Sequence, residues 1–259
     1  MTAARPYIAG DWLLVPAPRE DPDFQLFCFP HAGGDATAFT LLARALGPTT
    51  EVWALRMPAR GGRRCDSMPA TFDQLVRTVA AQVRRHRGRR FGFYGQSFGA
   101  LLAYEVALAL LPGRRPELLV AAASPPPNRW VDGIPEERNA EALLGSAGMG
   151  ELIDAEPELR QLALGAIQAD LDVRRTYRYL SLGPVESDLY AVVGSADPML
   201  DEAQLDGWAE LTTSLFDKWT VPGGHLLATV TETGPVELLN SLISRRAAPT
   251  REEVQWSTR

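Results

Sequence analysis

The chain has few side chains of the kinds that usually carry covalent or metal chemistry. Among its 259 residues are two cysteines, three histidines and one lysine, Lys218. Cys28 and Cys65 form no CxxC pair, which argues against a structural zinc site and indicates reduced thiols. A Schiff-base enzyme would depend on Lys218 alone, which lies in the alternating run FDKWTV. No metal and no cofactor are therefore expected.

Positive charge and long apolar runs are also scarce. Arg and Lys total 26 against 32 acidic residues, so the net charge is −6. Nucleic-acid binders need an excess of cations to displace counterions from phosphates, and we expect no nucleic-acid partner. No stretch approaches the ~20 apolar residues of a membrane span, and the N-terminal segment has no apolar run of signal-peptide length. A cytoplasmic protein without a membrane partner is expected.

Short apolar runs alternate with helical patterns along most of the chain. This alternation predicts an α/β fold with right-handed crossovers and a mostly parallel, doubly wound sheet. The predicted strands are Leu26–Phe29, Val52–Leu55, Phe91–Tyr94, Leu118–Ala122, Leu189–Val193 and Phe216–Val221. The predicted helices are Ala36–Leu46, Phe72–Arg87, Phe98–Leu110, Gln204–Thr212 and Pro235–Ser244.

One region interrupts the alternation. Residues 129–184 contain helical patterns rich in Leu, Ala and Glu but no convincing strand. We interpret this region as a helical insertion between two strands of a single domain spanning residues 1–259. The core is expected at about 24–128 and 185–245, and residues 246–259 are expected to form a flexible tail.

A G-x-S-x-G motif centred on Ser97 follows the run FGFY and precedes an apolar helix. This is the context of a nucleophile elbow, in which a serine occupies a strained strand-to-helix turn and Gly95 and Gly99 leave room for neighbouring backbone. The alternative is a glycine-rich turn with an unreactive serine. The strand and helix around the motif favour the nucleophile.

A serine nucleophile needs a base and an orienting acid. His225, in VPGGHLL, follows the last predicted strand, as the chain order Ser–Asp–His of α/β-hydrolases requires. His86 lies in a charged helix end and is interpreted as a solvated side chain. For the acid we favour Asp197, just past the strand LYAVV, over Asp201 four residues later.

A second glycine-rich turn follows the first predicted strand, in FCFPHAGGDA. In such hydrolases an early strand-to-helix loop supplies one backbone N–H of the oxyanion hole, and the residue after the nucleophile supplies the other. These residues would be Ala32 and Phe98. The alternative for Gly33 and Gly34 is an ordinary turn.

Taken together, FCFPHAGGDA, MPARGGR, GQSFGALLAYE, GSADP, WAELT and PGGHLL resemble the type II thioesterases, the stand-alone editing hydrolases of polyketide synthases and non-ribosomal peptide synthetases. The resemblance covers about residues 24–245. It implies an α/β-hydrolase fold, a triad of Ser97, Asp197 and His225, and an oxyanion hole from Ala32 and Phe98. The substrate it implies is an acyl group on the phosphopantetheine arm of a carrier protein.

Three positions depart from the family pattern. The family usually has His where this chain has Gln96, Gly where it has Ala59, and an aromatic residue where it has Leu226. None of these departures removes a triad member. The resemblance also implies that the insertion is a lid, some of whose apolar residues would line the acyl chamber. The candidates are Leu143, Leu144, Met149, Leu152, Leu162 and Leu164; the alternative is that they only dock the helices on the core.

Arginines crowd into the stretch RMPARGGRR. Arg60, Arg63 and Arg64 could bind the phosphate of phosphopantetheine or steer an acidic carrier protein. The alternative is a solvated basic loop.

Two other functions stay open at this point. An acyltransferase or cyclase would use the same acyl-serine but another acceptor, and a non-catalytic scaffold would bind carrier proteins or acyl ligands. The intact set of Ser97, Asp197 and His225 argues against the scaffold, whereas the choice between hydrolysis and transfer depends on the acceptor. The protein is expected to be a monomer.

Overall fold

The computed structural model describes residues 5–130, 140–146, 156–227 and 234–247. Strands of these residues form one sheet in the order β1-β2-β4-β3-β5-β6-β7-β8. The strands are β1 (Tyr7–Ala9), β2 (Leu13–Val15), β3 (Phe24–Phe29), β4 (Thr50–Leu55), β5 (Phe91–Gln96), β6 (Leu118–Ala122), β7 (Asp188–Gly194) and β8 (Phe216–Val221). β2 pairs antiparallel with both β1 and β4, whereas β3 to β8 are mutually parallel. The predicted α/β class is confirmed.

Helices connect the strands and cover both faces of the sheet. They are α1 (Thr40–Ala45), α2 (Phe72–His86), α3 (Phe98–Ala109), α4 (Ala140–Ser146), α5 (Pro157–Arg175) and α6 (Gly234–Ala247). Four 3₁₀ helices span Ala36–Phe39, Gly61–Arg63, Pro127–Trp130 and Glu202–Leu211 in the described ranges. The last of these replaces the helix predicted at Gln204–Thr212. The final helix continues to Ala247, two residues into the expected tail, whose other residues lie outside the described ones.

Sequence pattern explains the two helices nearest the centre of the sheet. All residues of β5 are buried, as expected for a central parallel strand covered on both faces. Helix α3 is apolar nearly all round and is buried between the sheet and α2. Helix α2 is amphipathic and begins after Thr71, whose hydroxyl accepts a hydrogen bond from the Gln74 amide at 3.2 Å. The core therefore fixes the start of α3, where Ser97 lies.

The sheet order brings two loops together. Strand β3 lies between β4 and β5, so the chain turns to one side of β3 and then to the other. In open α/β sheets, ligands bind outside the carboxyl ends of the strands at such a switch point. Phe29 at the end of β3 pairs with Gly95 near the end of β5. The loop after β3 and the turn after β5 are therefore neighbours.

The described part of the insertion contains the helices α4 and α5, as predicted, and residues 177–184 have no regular secondary structure. Helices α4 and α5 contact each other through a small apolar cluster of Ala140, Leu144, Ile167 and Leu171. Tyr177, just after α5, packs its ring against Phe72 of α2, with ring centroids 4.9 Å apart. The end of α5 is thus docked on the core. No helix of the described ranges is long and apolar enough to cross a membrane.

The six apolar residues proposed for the acyl chamber have different environments. Leu143 lines the large cavity described below, and Leu144 is buried between α4 and α5. Leu164 packs against the same cluster, whereas Leu162 is 60% exposed. Met149 and Leu152 lie outside the described residues. Among the described members, lining of the cavities therefore occurs at Leu143 and Leu144, and the packing of Leu144 and Leu164 joins α4 to α5.

Candidate active site

Ser97 occupies the turn between β5 and α3 with φ +54° and ψ −119°. A serine pays for this left-handed conformation in strain, which is typical of functional turns. The turn is also crowded. A Cβ on Gly95 would overlap the backbone of Gly99 and Ala100, and one on Gly99 would overlap the carbonyl oxygens of Phe29 and Pro30. The two glycines of the motif are therefore required by close approach of backbone to backbone.

The structure brings Asp197 and His225 together. The His225 Nδ1 lies 2.9 Å from Oδ2 and 3.1 Å from Oδ1 of Asp197, and both side chains are buried. Oδ1 of Asp197 also accepts a hydrogen bond from the Met199 amide at 2.8 Å. The carboxylate is thus fixed from two directions. In this arrangement it can hold the imidazole with Nε2 directed away from Asp197.

The two residues set aside in the sequence have other partners. Asp201 caps the 3₁₀ helix Glu202–Leu211, where its carboxylate accepts a hydrogen bond from the Gln204 amide at 3.0 Å. His86 ends α2, its ring centroid 5.7 Å from that of Trp53. Neither residue lines the cavity that contains Ser97.

Ser97 and His225 line the same cavity of about 640 Å³. Its apolar wall combines the segment after β6, the insertion and the loop after β7. These apolar residues are Pro125, Pro126, Trp130, Leu143, Leu171, Met199 and Leu200. A smaller cavity of about 40 Å³ lies beside it and shares Ser97, His225 and Leu143. A pocket of this size and polarity can enclose an acyl chain beside the serine.

Ala32 and Phe98 also line the large cavity. Phe98 is the first residue of α3, so its N–H has no partner within the helix and lies at the positive end of the helix dipole. Ala32 lies in the loop after β3, where the Gly34 amide donates a hydrogen bond to the His31 carbonyl at 2.9 Å. The two residues expected to supply the oxyanion donors, one from the loop after β3 and one from the start of α3, thus line the cavity together with Ser97.

His31 belongs to this loop and lines the smaller cavity together with His225. Removal from water lowers the pKa of His31 to about 4, and the neighbouring His225 and Arg60 add to the effect. The lowered pKa favours the uncharged imidazole of His31 at neutral pH.

The arginine stretch does not form the cation cluster expected from the sequence. For Arg60 the expectation of a carrier-facing charge is wrong, because its guanidinium is buried and ion-paired with Asp170 of α5. Arg63 bonds to Asp66 at 2.8 Å and lies over the Trp12 ring, 4.2 Å from its centroid. Arg64 is exposed. Contacts with residues distant in the sequence, Asp170 and Trp12, direct the side chains of Arg60 and Arg63 inward, and the local sequence could not indicate them.

Sequence reasoning missed two residues next to the site. Gln96 was noted only as a departure from the family pattern, yet its Nε2 donates to the His225 carbonyl at 3.0 Å. Asp170 gave no signal, because its partner Arg60 is 110 residues away.

Comparison with known proteins agrees with this geometry. The family model described as "Thioesterase domain" matches residues 24–243. A probable cadicidin biosynthesis thioesterase of Streptomyces griseus is 30% identical over 252 residues, 93% of this chain and 68% of the relative.

Two solved structures are similar along most of their length. RedJ, a thioesterase from the prodiginine pathway of Streptomyces coelicolor, has a TM-score of 0.77 and 28% identity, covering 88% of this chain and 89% of RedJ. The type II thioesterase BorB from the borrelidin cluster has a TM-score of 0.75 and 29% identity, covering 93% and 98%. Family match, whole-chain identity and superposition agree, and the chain belongs to the thioesterase domain family, with the α/β-hydrolase fold.

Proposed function

We propose that this thioesterase hydrolyses acyl groups from the phosphopantetheine arm of a carrier protein, through a triad of Ser97, His225 and Asp197. One observation carries the proposal: the strained Ser97 turn and the Asp197-bound imidazole of His225 line one apolar cavity. A strained serine, an oriented base and an acyl-sized pocket in one place are the parts that acyl transfer to serine requires.

In the first half-reaction, the Ser97 Oγ attacks the thioester carbonyl carbon and His225 Nε2 takes the hydroxyl proton. The carbonyl oxygen becomes an oxyanion, for which the amides of Ala32 and Phe98 are the donors. When the C–S bond breaks, His225 returns the proton to the pantetheine sulfur. The products of this step are a free thiol and an acyl-serine.

Water completes the reaction. His225 removes a proton from a water molecule as its oxygen attacks the acyl carbon, and then protonates the Ser97 Oγ as the ester bond breaks. The carboxylic acid leaves, and the enzyme regains its starting state. The Asp197 carboxylate keeps the imidazole in one tautomer throughout and stabilises the imidazolium that forms.

The substrate class rests on the resemblance and on the relatives. RedJ and BorB, both above 25% identity, are described as a thioesterase of the prodiginine biosynthetic pathway and a type II thioesterase of the borrelidin biosynthetic cluster. The apolar wall of the cavity suits an acyl chain. Editing of stalled carrier proteins in polyketide or non-ribosomal peptide synthesis is the role we propose.

Hydrolysis of an acylated carrier protein tests the proposal. Ser97→Ala should lower kcat by about 10⁶-fold, the scale of loss seen when a serine triad is dismantled. It should also abolish labelling by a fluorophosphonate. The matched control is Ser67→Ala, an exposed serine outside the cavity lining, which should hydrolyse and label like the parent. Hydrolysis by Ser97→Ala within tenfold of the parent would remove Ser97 from the mechanism.

A further inference from the structure

Helix α5 contacts the core through a buried ion pair with Arg60. The guanidinium makes two bonds to Asp170, Nη1 to Oδ2 at 2.6 Å and Nη2 to Oδ1 at 2.5 Å. The side chains are 4% and 1% exposed. A paired fork of this kind fixes the relative orientation of both groups as well as their distance.

Both members of the pair also bind the loop after β3. Oδ2 of Asp170 accepts a hydrogen bond from the Gly33 amide at 2.7 Å. Nη1 of Arg60 donates to the Gly34 carbonyl at 3.1 Å, and its Nε donates to the Pro58 carbonyl at 3.0 Å. The loop that contains Ala32 is therefore held at one N–H and one C=O by a pair whose acid belongs to the insertion.

Packing at Gly33 places α5 directly against the same loop. Gly33 has φ +79°, and a Cβ there would overlap the Ile167 side chain of α5. Ile167 and Asp170 are three residues apart and so share a face of the helix. One face of α5 thus gives the loop an apolar contact and a carboxylate.

We propose that Asp170 is a positioning residue, which together with Arg60 holds the Ala32 amide in place for the oxyanion. The Asp170 carboxylate fixes the peptide between Ala32 and Gly33, and the turn from Gly34 to His31 fixes the peptide before it. The oxyanion site is therefore complete only while α5 is docked. This inference rests on the proposed function, since it assigns Ala32 to the oxyanion.

A double substitution separates this role from simple stabilisation. Removing one partner of a buried pair leaves an uncompensated charge, whereas replacing both with apolar residues of similar size is often neutral for stability. Arg60→Met with Asp170→Leu should therefore melt near the parent. Removing one oxyanion donor costs about 10²–10³-fold, and a displaced donor loses only part of that stabilisation, so kcat should fall about 10- to 100-fold. KM for a small acyl thioester should change little.

The control is a second ion pair far from the cavity. Arg90 and Glu117 pair at 2.9 Å, next to the start of β5 and β6, at the opposite edge of the sheet. Arg90→Met with Glu117→Leu should leave kcat unchanged. A folded Arg60/Asp170 double variant with parent-like kcat would overturn the inference.

Amide hydrogen exchange gives a readout independent of activity. Residues 30–36 should exchange about tenfold faster in the Arg60/Asp170 double variant, while β5 and the Arg90/Glu117 variant keep parent rates. Unchanged exchange of residues 30–36 would also overturn the inference, whatever the activity. If the double variant does not fold, Arg60→Lys replaces it, because lysine keeps the charge but not the two-pronged guanidinium. Residues 30–36 should then exchange faster than in the parent, by a smaller factor than about tenfold. Parent-like exchange in Arg60→Lys would overturn the inference. Absence of thioesterase activity in the parent would instead refute the proposed function. The exchange rates would then still test whether the Arg60–Asp170 pair holds the loop after β3.

Discussion

The side-chain amide of Gln96 donates a hydrogen bond to the backbone carbonyl of His225, with Nε2 and O 3.0 Å apart. Gln96 is the last residue of β5, directly before Ser97, and its side chain is buried. The turn that carries the serine is thus tied to the loop that carries the histidine, although 129 residues separate the bonded pair.

Gln96→Leu should lower kcat by about tenfold, because the buried carbonyl of His225 would lose its donor and such a loss costs about 1–3 kcal/mol. Gln96→His, the residue usual in the family, keeps a ring N–H donor and should stay within about threefold of the parent. Steady-state hydrolysis of a small acyl thioester measures both. Equal activity of the Leu variant and the parent would show that the hydrogen bond has no part in placing His225.

Asp197→Asn should slow kcat by about 10⁴-fold, because an amide in place of the carboxylate favours the wrong imidazole tautomer. Asp201→Asn is the matched control four residues away. Asparagine is as good an N-cap as aspartate, so this variant should keep both its activity and its melting temperature. The opposite pattern of activities would assign the orienting acid to Asp201.

Ala59→Gly should stabilise the fold. Ala59 has φ +62°, a left-handed conformation that costs a residue with a Cβ about 1–2 kcal/mol. Glycine adopts it without that strain but loses about 0.4–1 kcal/mol through the entropy of the unfolded chain. The net gain of about 0 to 1.6 kcal/mol raises Tm by about 2–4 °C for each kcal/mol, which calorimetry can measure. A lower Tm would mean that the Ala59 methyl group makes contacts worth more than the strain.

His31 should make stability depend on pH between about 6.5 and 4. Its pKa is about 4 in the folded protein and near 6.5 when unfolded. As the pH falls through this window the unfolded chain binds a proton that the folded one does not, so the free energy of unfolding decreases. The parent should lose about 1–3 kcal/mol more than His31→Gln between pH 7 and pH 4. Denaturant titrations at several pH values measure this difference, and parallel curves would contradict the prediction.

Local pattern was sufficient for the parallel part of the sheet. Strands β3 to β8 are continuous apolar or alternating runs, and each was predicted within two residues of its observed bounds. Strands β1 and β2 were missed because each has only three residues. They also pair antiparallel at the edge of the sheet, so no helix alternates with them in the sequence to indicate a strand. The proposed positions of Ser97, Asp197 and His225 could be predicted because each follows the carboxyl end of a parallel strand, where sites in such sheets lie.

Contacts between segments that are distant in the chain could not be predicted from the sequence. Arg60 reads as one of several basic residues in a loop, and nothing near it in the chain indicates a buried partner. The pairing depends on how α5 docks, which is decided by packing of Ile167 and Tyr177 against other elements. Alanine has no preference for positive φ, so Ala59 itself gave no sign of its left-handed conformation; only the glycine that the family usually has at this position pointed to it.

The contact of Ile167 with Gly33 limits how the enzyme can be re-engineered. Exchanging residues 129–184 with those of a relative, in order to alter acyl-chain preference, would transplant a helix whose inner face was shaped against another loop. Any chimera needs glycine at the recipient's position 33 and matching groups at both ends of the Arg60–Asp170 pair. Successful grafts should therefore carry the segments around 31–34 and 58–60 along with the insertion, as one exchangeable unit.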